Sequence, residues 1–157
     1  MADLPIADAA VRGEILAWLK VFSGFVRTVD YASARPMWHP DLLAFGTYSD
    51  VIQGLETAIA TQWDNVWPRT ADFAFDLAGT HVLANGTMAV AVTPWTSSGF
   101  LQDGSRFDRP GRATMVFARA DGAWRCVHSH MSLNRGVPQA SFGQRPVKAR
   151  PPRAADQ

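Results

Sequence analysis

The chain of 157 residues has one cysteine, almost no net charge and no long apolar run, and each shortage closes off a class of protein. A lone Cys126 permits no internal disulfide. The formal charge is +1, and the basic residues are scattered apart from a few arginines near the C-terminus. That leaves no electrostatic stripe for a phosphate backbone, so nucleic acid is not an expected partner. Nothing approaches the roughly 18 consecutive apolar residues of a membrane span, and no membrane partner is expected. The opening MADLPIADAA lacks the positive and continuous apolar regions of a signal peptide. With the single thiol, this points to a soluble protein of the reducing cytoplasm. No glycine-rich phosphate loop and no Gly-x-Ser-x-Gly context is present, so neither nucleotide binding nor serine hydrolysis is indicated. No cofactor is expected.

What the chain does have is apolar side chains, 47% of its residues against 18% charged, enough for one core but not two. From Asp8 to Val29, Ile15, Trp18, Leu19, Phe22, Phe25, Val26 and Val29 recur at three- and four-residue steps, which predicts a long amphipathic helix. Asp30 is placed to cap a short second helix that Pro36 limits. Leu42 to Tyr48 and Val51 to Gln53 read as strands, and Leu55 to Trp67 as a third helix stopped by Pro68. After Asp72 the period becomes two, as in Phe73, Phe75 and Leu77, or Met88, Val90 and Val92. Asn85-Gly86, Asp103-Gly104 and Asp121-Gly122 then punctuate a meander of about four long antiparallel strands. Residues 1–143 are expected to form one domain, and the proline- and arginine-rich 144–157 a flexible tail. Helices followed by a meander give a segregated α+β fold, with the helices on one sheet face. The strands are apolar on both faces, so the outer face is an expected homodimer contact.

The run GRATMVFARADGAWRCVHSHMS, residues 111–132, resembles the last hairpin of SnoaL-like (nuclear transport factor 2-like) domains and of the association (hub) domain of calcium/calmodulin-dependent protein kinase II. The matching elements are Asp121-Gly122, Trp124 and His128-x-His130-x-Ser132, and upstream Asn65-Val66-Trp67-Pro68-Arg69 resembles the end of the hub's pocket helix. The resemblance implies a cystatin-like cone, about three N-terminal helices packed on a strongly curved antiparallel sheet. It leaves function open, because the fold hosts isomerases, cyclases, hydrolases, dehydratases and non-catalytic assembly modules. The ketosteroid isomerases of this superfamily carry an aspartate where the aligned strand here has Gly46, and their first-helix tyrosine has no counterpart before Tyr31. Steroid isomerisation is therefore excluded. Hub pocket arginines match Met115 and Met131, so the resemblance implies a more apolar pocket.

Trp124, Cys126, His128, His130 and Ser132 alternate along the last strand and are expected to share a face. A three-residue Ala120-Asp121-Gly122 loop with a glycine bulge is favoured, setting Thr114 opposite His128 and Arg112 opposite His130. In one orientation Met115, Phe117 and Met131 line the pocket with Trp63, Trp67 and Trp95, and Tyr48 and Arg112 complete the candidate ligand contacts. Such a pocket prefers an uncharged, flat or hydrophobic molecule to a small carboxylate. In the other, His128 and His130, ~7 Å apart, act on a substrate as acid and base, with Asp41 as a candidate pocket acid. Two histidines fall short of a metal set, and no metal site is assigned. Two functions follow. One is a binding protein for a small hydrophobic molecule, with turnover of a carbonyl compound as isomerase, cyclase or lyase left open. The other is a non-catalytic oligomerisation module.

Overall fold

Asp8 starts the first helix by accepting a hydrogen bond from the Val11 N–H (2.8 Å). The computed structural model describes residues 1–144, so the expected tail lies, but for its first residue, outside the described residues. Helix α1, Ala9–Thr28, turns Ile15, Trp18, Leu19, Phe22 and Val26 into the core, the stripe the spacing predicts. It ends at Val29, whose N–H caps the Phe25 and Val26 carbonyls while its backbone is left-handed (φ 54°). A β-branched side chain is strained there by roughly 1–2 kcal/mol. Val29→Gly is expected to raise stability by about 0.5–1 kcal/mol in urea titration, glycine's extra chain entropy offsetting part of the relief. Helix α2, Tyr31–Ala34, is capped by Asp30, which accepts from the Ser33 N–H (3.1 Å). The side-chain and backbone hydrogen bonds from Ser33 hold that carboxyl below its ordinary range.

Strand β1, Trp38–Phe45, begins earlier than the apolar run suggests. Its pairing is irregular between Trp38 and Leu43, which is where Pro40, lacking an N–H, is tolerated. Strand β2, Val51–Gln53, returns antiparallel to β1. The third helical segment is not one regular helix. It runs as α3, Leu55–Ala58, widens to a π turn at Ile59–Trp63, tightens as α4, Asp64–Val66, and ends in a 3-10 turn, Trp67–Arg69, containing Pro68. The turn redirects this arm so that Trp63 and Trp67 stack (centroids 4.3 Å, planes 17° apart).

The sheet comprises β3 (Ala71–Phe75), β4 (His81–Asn85), β5 (Met88–Phe100), β6 (Arg106–Asp108), β7 (Gly111–Ala120) and β8 (Ala123–Leu133), with β1 and β2. Its order is β2-β1-β8-β7-β5-β3, and β4 and β6 also pair with β5. Long β5 thus exchanges partners along its length, as a strongly bent strand does. The sheet is mixed, since β1 enters from a helix and lies parallel to β8, while the other pairs are antiparallel.

The last hairpin corrects the expected register. Asp121 (φ 53°) and Gly122 (φ 76°) form a two-residue turn of type I′, and Ala120 pairs with Ala123. The bulge lies instead within β8, because Phe117 pairs with Cys126 but Val116 pairs with His128, leaving Val127 unpaired. Thr114 therefore faces His130, and Arg112 faces Ser132 rather than His130. The bulge also switches faces. Trp124, Cys126 and Ser129 are buried on the concave side, whereas His130 is exposed on the convex side, so the five residues do not share one face.

The core is unusually aromatic. Trp18 meets Phe117 (4.8 Å) and Trp38 (5.7 Å) edge-on, and Phe22 meets Trp38 (5.2 Å) and Trp67 (5.6 Å) in the same way. Among the described residues, no helix is long and apolar enough to cross a membrane.

Candidate functional site

Between α1, the α3–α4 arm and the concave sheet lies a cavity of about 60 Å³. At ~10–15 Å³ per water on the same measure, it holds about four to six waters, or one ring-sized molecule. Trp63, Trp67, Trp95, Met115 and Met131 line it together. Phe117 does not reach it, being fully buried against Trp18. Arg112 lies on the convex face, in a groove with His130. Tyr48 is exposed and borders an adjoining space rather than the cavity.

The acid/base candidates do not meet in the cavity. His128 is bonded through Nδ1 to the Leu43 carbonyl (2.9 Å), and His130 packs beside Phe45 (5.1 Å) on the convex face. Asp41 is exposed on β1, its own N–H donating to His39 Nδ1 (3.1 Å). The Val127 bulge and the interrupted β1 pairing are the physical reasons, since each resets the alternation on which a shared pocket face depends. Among the described residues, no cluster of three or more His, Cys, Asp or Glu side chains is arranged to hold a metal ion.

The residue the sequence reading missed is Arg109. It is 3% exposed, lines the cavity and pairs with no carboxylate among the described residues. Its backbone is fixed by two bonds to Ser97, N–H to carbonyl at 2.9 Å and carbonyl to N–H at 3.1 Å. The guanidinium lies 5.4 Å over the Trp95 ring and donates to Thr47 Oγ1 (3.2 Å) and weakly to Ser97 Oγ (3.5 Å). Its Nε–H is buried with no partner among the described residues. Burial lowers its pKa to about 10, so the charge persists at neutral pH. The pocket expected to be more apolar through Met115 and Met131 thus also receives a cation from a different segment. One signal was available in Arg109-Pro110-Gly111. Proline and glycine interrupt the strand there, and regular alternation cannot assign the preceding side chain to a face. Gly111 is also where Trp95 lies flat, since a Cβ would fall 2.1 Å from its ring.

Beside Arg109, Gln62 organises the loop after β1. Its Oε1 accepts from the Tyr48 and Ser49 N–H groups (3.1 and 3.2 Å), and its Nε2 donates to Thr47 Oγ1 (3.1 Å). Thr47 Oγ1 thereby accepts from Gln62 and Arg109, and its own proton remains to be donated. Gly46, where the isomerases have their aspartate, is required by this arrangement, because a Cβ would lie 2.1 Å from Gln62 Oε1. Gly46→Ala is expected to displace Gln62 and cost about 1–2 kcal/mol, read as a lowered urea midpoint. Cys126, fully buried, has its thiol pushed well up by desolvation. It is expected to react with a thiol reagent only in denaturant.

The architecture, helices on the concave face of a bent sheet, is that of the cystatin-like α+β cones. Residues 15–135 match the SnoaL-like domain family, and the chain belongs to it. Similar solved structures include the calcium/calmodulin-dependent kinase II hub homology domain of Chlamydomonas reinhardtii (19% identity, TM-score 0.63, covering 80% of this chain and 98% of that one). An NTF2-like protein with a cystatin-like fold from Novosphingobium aromaticivorans is 19% identical (TM-score 0.64, covering 82% and 85%). An NTF2-like protein of Streptomyces avermitilis, provisionally named a dehydratase, is 16% identical (TM-score 0.67, covering 80% and 96%). These likenesses show the fold alone. No curated protein matches the chain by sequence.

Proposed function

We propose that the chain binds a ring-sized hydrophobic molecule bearing a carboxylate or carbonyl oxygen, with the ring among Trp63, Trp67 and Trp95 and the oxygen on Arg109 and Thr47. The observation that carries this reading is a buried guanidinium, without a carboxylate partner among the described residues, facing an aromatic cavity. An uncompensated buried cation costs several kcal/mol, and a bound oxyanion removes that cost. Besides the indole N–H groups of its tryptophans, the cavity's polar side chains are Thr47, Gln62, Thr70, Arg109 and Ser129, none of them a carboxylate or an imidazole. This supports binding, or polarisation of a carbonyl by Arg109, over proton abstraction by a side-chain base. In thermal unfolding, benzoate is expected to raise Tm, while toluene and acetate at equal concentration do so far less. Equal shifts from benzoate and toluene would remove Arg109 from the reading.

A second reading concerns the convex face. Two rows run in register across five strands, Phe45-His130-Thr114-Val92-His81 and Leu43-His128-Val116-Val90-Leu83. Leu43, Phe45 and Val92 remain 53%, 41% and 46% exposed, which supports self-association through this face with the histidines inside the contact. Val92→Glu is expected to give a monomer by light scattering without change in benzoate binding. An unchanged mass would put any self-contact elsewhere.

A further inference from the structure

Beyond the shared wall of Thr47, Val66, Thr70 and Arg109 lies a second space of about 50 Å³, more polar than the first. Asn65 and Arg69, at the end of the α3–α4 arm, form one side of it, and residues 139–142 roof it. The roof is held by specific bonds. The Phe142 N–H donates to the Phe100 carbonyl (2.9 Å), the Phe100 N–H donates to Ser141 Oγ (3.0 Å), and the Ser141 hydroxyl donates to the Arg69 carbonyl. Two arginines border this space, and among the described residues no carboxylate does. Arg69, unlike Arg109, is an exposed residue.

We propose that this second space is a subsite for a further anionic group of the ligand, held between Arg69 and Arg109. The ligand is then an aryl dicarboxylate, an apolar ring joined through a short chain to two acidic groups. This rests on the reading of Arg109 given above and extends it. The ring occupies the aromatic cavity, one carboxylate bonds Arg109 and Thr47 at the junction, and the second lies under the roof. Charge decides the assignment. A single carboxylate on Arg109 leaves Arg69 at the wall of the second space unused, whereas a second carboxylate there adds a charge-assisted hydrogen bond to it.

The test is calorimetric titration of the full chain with 3-phenylpropionate and phenylsuccinate, which share a ring and differ by one carboxylate. The wild type is expected to bind phenylsuccinate about tenfold more tightly. In Arg69→Gln, at an exposed position that leaves the fold intact, that advantage is expected to shrink below about threefold while phenylpropionate binding is unchanged. Equal affinities in the wild type, or an advantage that persists in Arg69→Gln, overturns the second subsite and leaves the Arg109 reading standing. Phenylpropionate bound equally by the wild type and Arg109→Met, or neither acid bound by the wild type, overturns both.

Discussion

Replacing Arg109 with methionine is expected to raise the stability of the ligand-free protein by about 1–3 kcal/mol while abolishing binding of aromatic acids. The sign is the informative part. A residue placed for the fold destabilises when removed, as a core truncation does. Arg109 is different because its charge is held out of water without a carboxylate partner among the described residues. Against that penalty stand two long hydrogen bonds, to Thr47 and Ser97, and the face of Trp95 at 5.4 Å. The cation–π contact is worth about 2 kcal/mol when desolvated, and long hydrogen bonds less than the usual ~1 each. Those gains do not offset desolvation, and methionine fills similar volume with no charge to bury. Urea titration of the two proteins reads the difference directly. A variant less stable by more than about 1 kcal/mol would mark Arg109 as structural.

Trp63→Ala is expected to act in the opposite direction, costing about 3–5 kcal/mol and lowering Tm by on the order of 10 °C. Trp63 is 5% exposed, stacks on Trp67 at 4.3 Å, and lies within about 6 Å of Phe22, Tyr31 and Trp38 by ring centroid. Few core positions connect α1, α2, β1 and the α3–α4 arm through one side chain. Its removal also enlarges the cavity by about an indole ring, so the variant is expected to accept a two-ring acid such as 2-naphthoate better than benzoate. A loss below about 1 kcal/mol in urea, or no change in ring-size preference, contradicts this placement of Trp63.

How far the sequence disclosed the fold depends on whether side-chain pattern or backbone irregularity set each element. The three- and four-residue spacing from Ile15 to Val26 became α1, and Asp8 and Asp30 became caps, because burial and capping act through the residues that are legible. Asp121-Gly122 lies at the turn of the last hairpin for the same reason. The Val127 bulge and the Ile59–Trp63 π turn insert one residue each without a distinctive side chain, and both alter what lies downstream. The first turned the His-x-His pair away from Cys126's face, and the second set the stack of Trp63 on Trp67. The candidate site divides along the same line. Its methionine lining was expected from the hub resemblance, and Trp63 and Trp67 from their spacing of one helical turn. Arg109 was not, because Pro110 and Gly111 break the strand beside it, and its direction is fixed instead by pairing with Ser97. Of Arg106, Arg109 and Arg112, the first meets Asp72 (2.7 Å), the third lies on the convex face, and only the middle one enters the cavity.

The proposed role of Arg109 is that of a side chain buried for a ligand rather than for the fold. The direct test is calorimetric titration of benzoate into the wild type and Arg109→Met side by side, at equal pH and salt. Saturable binding by the wild type and none by the variant, with both proteins folded, is the predicted result. Benzoate binding of equal affinity to both proteins contradicts the claim.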